Sequence, residues 1–143
     1  MVNGPKIVTT IDNCNLINLP DFSDERGGLI AIEKSELIQF EINRVYYFFN
    51  TSSAHIVRGE HAHLNLKQLI IAISGSFDIE IDDGKEKHVY HLNSPNHGLY
   101  ICPMIWREIT NFSDGTVGLV LASEKYNSGD YISTYDEFLK LKQ

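Results

Sequence analysis

A chain of 143 residues is close to the commonest size of one domain, with room for a single sizeable core and not for two. Apolar residues make up 43% and charged residues 22%, ordinary for a globular protein in water, and no stretch approaches the roughly 20 apolar residues of a membrane-spanning helix. A formal charge of −7 disfavours nucleic-acid binding and any general attraction of anions and leaves anion binding to the local placement of four arginines, Arg26, Arg44, Arg58 and Arg107.

The first residues, Met-Val-Asn-Gly-Pro-Lys, lack the charged-then-apolar layout of a signal peptide, so a cytoplasmic location is expected for this one domain, residues 1–143. Cys14 and Cys102 form neither a CxxC pair nor a zinc set and read as reduced thiols.

Along the chain, short apolar or alternating runs between dense turn signals predict strands. Ile7–Ile11 reads as the first, Gly28–Ile32 as the second and Arg44–Phe49 as a strongly β-prone third. In the third, Tyr46 and Tyr47 alternate, so one faces inward and the other outward. Gln68–Ser74 follows. Phe77, Ile79 and Ile81 then alternate with acidic residues up to an Asp83-Gly84 turn, and Lys87–Leu92 returns as the other arm of a hairpin. Gly98–Ile101, Trp106–Phe112 and Thr116–Ser123 complete the set, separated by Pro103 and Asp114-Gly115. Only the end is helical: Thr134 with Glu137 three residues on suggests a capping box, and Tyr135, Phe138 and Leu139 recur at helical spacing. Many short strands and one short C-terminal helix imply an all-β sandwich or barrel.

The most informative run is Arg58-Gly-Glu-His-Ala-His63. Residues two apart on a strand share a face, so His61 and His63 point together, and imidazoles so paired serve either as metal ligands or as proton-transfer groups. His55, His88, His91 and His97 sit in turns or an edge hairpin and read as structural.

From His61 the pattern is His-x-His, then Gln68 and Gly75; later come Gly98, Pro103, Trp106-Arg107 and Asn111. This resembles the two motifs of the cupins, which implies the double-stranded β-helix, or jelly-roll barrel, of that family. Metal-binding cupins hold their ion with two histidines, a Glu and a second-motif His. Here Gln68 and Arg107 stand at the last two positions, leaving two ligands beside a guanidinium, too few for zinc or iron and repulsive to either. No metal is expected, and the histidines remain as acid–base groups.

Within the cupins the chain resembles the dTDP-4-keto-6-deoxyhexose 3,4-ketoisomerases. The segments that carry the likeness are Arg44-Val-Tyr-Tyr47, Arg58-Gly-Glu-His-Ala-His63 with Gln68, Asp82-Asp-Gly84, Gly98-Leu-Tyr100, Pro103 with Trp106, Leu121-Ala-Ser123 with Tyr126, Asp130-Tyr-Ile132 and Tyr135-Asp136 with Phe138. Other members of that group carry His where this chain has Arg107.

The resemblance implies a homodimer of small barrels, each binding a dTDP-linked 4-keto-6-deoxy sugar and moving its carbonyl from C4 to C3 through an enediolate, with no cofactor. His63 is then expected to take the C3 proton, with His61 and Tyr47 serving the sugar oxygens or C4. Arg58, Gln68, Arg107, Tyr46 and Tyr100 are expected to bind substrate. A nucleotide-sugar 3,5-epimerase and a non-catalytic sugar-binding cupin are the alternatives on the same scaffold.

Overall fold

A computed structural model describes residues 10–51 and 55–143. Its strands are β1 (Asn15–Asn18), β2 (Arg44–Phe49), β3 (Arg58–His63), β4 (Gln68–Ser74), β5 (Phe77–Asp82), β6 (Lys87–Leu92), β7 (His97–Ile101), β8 (Trp106–Thr110), β9 (Val117–Ala122) and β10 (Tyr131–Ile132). A helix, α1 (Tyr135–Leu141), follows them, and short 3₁₀ turns occupy Thr10–Asn13 and Ser128–Asp130. No helix among the described residues is long and apolar enough to cross a membrane.

The strands form two five-stranded antiparallel sheets, in the orders β1-β7-β4-β9-β2 and β10-β3-β8-β5-β6. Alternation dictates how they face each other. Phe77, Ile79 and Ile81 of β5 are 0% exposed and meet Phe48, Ile70, Leu99, Ile101 and Val120 of the opposite sheet in the main core. The closure of one sheet on the other is the small β-barrel of the cupins, so the expected fold class holds, C-terminal helix included.

Gly118 lies opposite Phe48 in the β2–β9 ladder, and a Cβ there would stand 2.0 Å from Phe48 Cζ. The close approach lets the Phe48 ring fold across the sheet into edge contacts with Phe77 and Phe112.

Strand β4 is apolar continuously because both its faces are covered. Leu69 and Ile71, with Leu121 of β9, point outward beneath a long arm whose Ile38 and Phe40 are buried on them, with Ile30, Ile32 and Ile42 packed alongside. The strand expected over Gly28–Ile32 belongs to this arm and makes only an isolated bridge, Asp21 to Ile30, since its apolar residues cap a sheet face instead of joining a ladder. The strand expected over Ile7–Ile11 falls mostly outside the described residues, and Thr10 and Ile11 open the first 3₁₀ turn.

The C-terminal helix begins as expected. Thr134 Oγ1 accepts from the Glu137 N–H at 3.3 Å, and Phe138 is buried against Ala62, Trp106 and Ile132. This cluster on the outer face of the second sheet pins β10 beside β3. Cys14 and Cys102, 88 residues apart, meet in the core as reduced thiols with their sulfurs 3.6 Å apart.

Candidate active site

Strict alternation would send Arg58 and His61 to opposite faces of β3, since they are three residues apart. Instead both line one cavity. In the pairing with β8, Arg58 lies opposite Ile109 and His61 opposite Arg107, so three steps on β3 match two on β8. The extra residue is a β-bulge, made possible by Gly59 at φ +84°. The bulge resets parity, and the cation and the imidazole enter the same space.

That cavity, of about 430 Å³, lies inside the barrel between the sheets. Arg44, Tyr46 and Phe48 come from β2, Gln68 and Ile70 from β4, Arg107 and Ile109 from β8, and Val120 from β9; Tyr126 and Tyr131 complete its wall. Three of the four arginines in the chain line it, and no Asp or Glu does. In a protein of net charge −7 this is a locally cationic chamber. Arg44 lies over the rings of Tyr46 and Tyr126 at 5.3 and 5.7 Å, and Arg58 over Phe48 at 5.6 Å, so aromatic faces hold two of the guanidiniums in place of carboxylates.

Arg107 is 1% exposed. Its Nη1 donates to Gln68 Oε1 and its Nη2 to the Ile105 carbonyl at 3.1 Å, while Nε is buried without a partner. Desolvation lowers its pKa to about 10, so the group is still a cation at neutral pH. A guanidinium has only donors, which turns the Gln68 oxygen toward Arg107 and its amide nitrogen toward Tyr46, 3.0 Å from the phenol oxygen. The Tyr46 oxygen therefore accepts from Gln68 and its own proton is available to the cavity. Burial raises the Tyr46 pKa, which keeps the phenol protonated.

The two histidines differ in depth. His61 lines the cavity; His63 is 1% exposed and sits behind it, their Nε2 atoms 2.9 Å apart. On its far side His63 Nδ1 is 3.2 Å from Asp130 Oδ2. Asp130 also accepts from the backbone N–H groups of Asn65 and Leu66 and from Asn65 Nδ2. Tyr131, paired with His63 in the β10–β3 ladder, packs its ring 4.4 Å from His63 and 5.0 Å from His61. Burial, then the charge of Arg107, pushes both histidines from the ordinary 6.5 to about 3, so both rings are neutral at physiological pH.

This donor set does not suit a cation. The Nε2 atoms of His61 and His63 face each other across one hydrogen bond, the Gln68 oxygen is taken by Arg107, and the guanidinium adds a positive charge. No group of three His, Cys, Asp or Glu side chains among the described residues is placed to hold a metal ion.

Of the residues expected from sequence, His61, Arg58, Gln68, Arg107 and Tyr46 converge on the cavity. Two placements correct the expectation, and a third gives the two histidines their depth order. Tyr47, expected as catalytic, is 63% exposed on the outer face of β2, because its neighbour Tyr46 takes the inward position. Tyr100, expected to bind substrate, lies between the inward Leu99 and Ile101 of β7 and packs against Phe40 beneath the arm, with ring centroids 6.1 Å apart. His63, expected to meet the C3 proton, is the inner member of the pair. Arg44, Tyr126, Asp130 and Tyr131 were not expected in the site. Arg44 was legible as one of only four arginines at the head of an inward-alternating strand; the other three arrive on a segment whose sequence has no strand or helix period.

A family model described as FdtA: WxcM-like, C-terminal, matches residues 12–143. A curated relative, the TDP-4-oxo-6-deoxy-alpha-D-glucose-3,4-oxoisomerase of Aneurinibacillus thermoaerophilus, is 43% identical over 125 residues, 87% of this chain and 89% of its own. Among solved structures, the TDP-quinovose 3,4-ketoisomerase WlaRB from Campylobacter jejuni is 50% identical with a TM-score of 0.84, covering 90% of this chain and 98% of its own. A mutant of the 3,4-ketoisomerase QdtA from Thermoanaerobacterium thermosaccharolyticum, in complex with TDP-4-keto-6-deoxyglucose, is 41% identical with a TM-score of 0.87, covering 91% and 94%.

The bulge yields a test. In Gly59→Ala the positive φ costs roughly 1–2 kcal/mol, and the new Cβ would lie 3.3 Å from Arg107 Cγ and 3.4 Å from Ile109. The variant should unfold at lower denaturant by about that free energy and show shifted His61 ring resonances. Unchanged stability together with unchanged ring resonances would mean that the bulge does not set the site.

Proposed function

The chain belongs to the FdtA family of WxcM-like, C-terminal domains, and from that membership we propose that it is a 3,4-ketoisomerase of a dTDP-linked 4-keto-6-deoxyhexose. The observation that carries the reading is the pairing, in one cavity, of a neutral imidazole with three arginines that no carboxylate of the wall neutralises. The arginines suit an anionic substrate, such as a nucleoside diphosphate, and the imidazole suits removal of a proton next to a carbonyl.

In a 4-keto sugar the C3 hydrogen is α to the carbonyl. His61, the ring at the cavity, takes that proton, and the electron pair of the broken C–H bond moves into a C3–C4 double bond with negative charge on O4. A proton passes from O3 to O4, the O3 electron pair closes the C3 carbonyl, and the electron pair of the C3–C4 double bond takes a proton from the His61 imidazolium at C4, which leaves a ketone at C3, a hydroxyl at C4 and a neutral ring. Neither redox cofactor nor metal takes part. Arg107 and the phenol proton of Tyr46 stabilise the enediolate oxygens, a pre-set electrostatic contribution that water could not match.

A 3,5-epimerase would use the same α-proton chemistry. The His63–Asp130 pair does not by itself separate the two; the ketoisomerase relatives favour migration of the carbonyl over inversion. The exposed strip of Val45, Tyr47 and Phe49 on edge strand β2 supports a homodimer built through that strand, and a purely monomeric species in sedimentation would remove this part of the reading.

Chelator-treated protein incubated with dTDP-4-keto-6-deoxyglucose should move the carbonyl resonance from C4 to C3 in NMR spectra. His61→Asn should fold and bind dTDP while turnover falls by about 10²–10⁴-fold. Deuterium from solvent at C3 and C5 without carbonyl migration would instead indicate an epimerase, and binding without any exchange a non-catalytic cupin.

The pH dependence follows from the depressed histidines. A base works unprotonated, and in the free enzyme both rings stay neutral down to about 3, so kcat/KM should show no acid limb near 6.5. Anionic substrate seated on Arg107 cancels a charge that depresses them, so the limb in kcat should lie at higher pH than that in kcat/KM. Coincident limbs at 6–7 would contradict this. The unfolded chain takes up protons near 6.5 that the folded one refuses, so stability falls as pH drops below that value and rates are read where circular dichroism shows the native fold.

A further inference from the structure

We propose that Asp130 is a positioning residue that fixes the ring tautomers of His63 and, through it, of His61, so that one defined nitrogen of the cavity ring is basic. The role rests on the isomerase reading for its kinetic consequence and not for its spectroscopic one.

The geometry runs inward from an exposed turn to a buried carboxylate. Asp130 is 5% exposed and held in the 3₁₀ turn Ser128–Asp130, whose start Asn127 caps by accepting the Gly129 N–H. Three donors from Asn65 and Leu66 converge on its two oxygens, which is the environment of an acceptor-only carboxylate. The Leu64 N–H donates to the Asp130 carbonyl, so the turn and the segment after β3 are locked together.

The His63 nitrogen that faces this carboxylate, Nδ1, must carry the proton, for a carboxylate offers none. A neutral ring then has a bare Nε2. Across 2.9 Å that lone pair meets Nε2 of His61, which must be the donor. His61, neutral and protonated on Nε2, is left with a bare Nδ1. One carboxylate thus decides the tautomers of two rings in series.

The same chain accepts charge. When His61 Nδ1 gains the C3 proton, the Nε2 proton of His61 can pass to His63 Nε2; the His61–H bond breaks as the His63–H bond forms, and the positive ring is then the one that lies against Asp130. Other charged and titratable groups around the pair are Arg107 of β8, Arg44 and Tyr46 of β2, Tyr131 of β10, and Glu124 and Lys125, which line the small pocket that His63 shares with Asp130; the arginines oppose a positive ring, and among the described residues Asp130 is the anion that pairs with it. The arrangement parallels the way a buried aspartate orients a catalytic histidine in hydrolytic triads.

The experiment is ¹⁵N NMR of histidine-labelled protein near pH 7.5. In the wild type, His63 should show a protonated Nδ1 with a bare Nε2, and His61 the reverse. In Asp130→Asn the new amide can donate to His63 Nδ1, so both tautomers should invert, with kcat down by about 10²–10⁴-fold and dTDP affinity and KM within severalfold of wild type. Opposite tautomers in the wild type or wild-type kcat in Asp130→Asn would each overturn the role. If Asp130→Asn fails to fold, the wild-type spectrum decides. Absence of any carbonyl migration by the wild type would instead defeat the isomerase reading and leave the tautomer result standing.

Discussion

A guanidinium buried without a carboxylate is an expensive thing to keep in a protein interior, where an unpaired charge costs several kcal/mol even after relaxation. Arg107 is such a group, with its planar fork on an amide oxygen and a backbone carbonyl and one N–H left unmatched. Much of the site follows from it. Its charge helps hold His61 and His63 neutral, its donors orient Gln68, and Gln68 in turn frees the Tyr46 proton for the cavity. The unsatisfied charge also states what the cavity lacks: an anion. On the proposed reading the substrate's own negative charge, and later that of the enediolate, completes the set.

The barrel holds this arrangement by covering its sheets from outside as well as within. The arm over residues 19–42 shields one outer face, and helix α1 with Trp106 shields the other. Both covers act at distance from the chemistry, yet each fixes a strand that matters. The arm presses on β4, which carries Gln68, and the helix cluster includes Ala62, the residue between the two histidines. The bulge at Gly59 then makes the one local departure from regular pleating, and it is the departure that places Arg58 beside His61.

What could be read from the sequence divides along the same physical lines. A strand whose side chains alternate, such as β5, appears at its expected bounds because a half-buried face writes a period of two into the chain, and β6 follows from the Asp83-Gly84 turn that pairs it with β5. The Gly28–Ile32 run looks like a strand in sequence because covering a sheet selects the same residues as joining one. Parity settled Tyr46 against Tyr47 only once the inward face of β2 was known. The depth order of His61 and His63 could not be read at all, since both lie on one face, and what separates them is a neighbour 67 positions away. Asp130 carries no local mark of its role; a lone Asp in a Ser-Gly-Asp turn looks like any loop residue.

Gln68 and Arg107 are better understood as a unit than as two lost metal ligands. A glutamate at position 68 would form a buried ion pair with Arg107, silencing the charge on which the pocket depends, and it could no longer donate to Tyr46. A histidine at 107 would remove the charge and leave Gln68 free to turn. Neither change alone rebuilds a metal site, since the histidine nitrogens already face each other. The scaffold therefore holds two mutually exclusive solutions to polarising an oxygen inside a barrel, a metal ion on carboxylate and imidazole or a fixed guanidinium on an amide. The second needs no ion to be captured, and it spares both imidazoles for moving protons, the work that carbonyl migration requires.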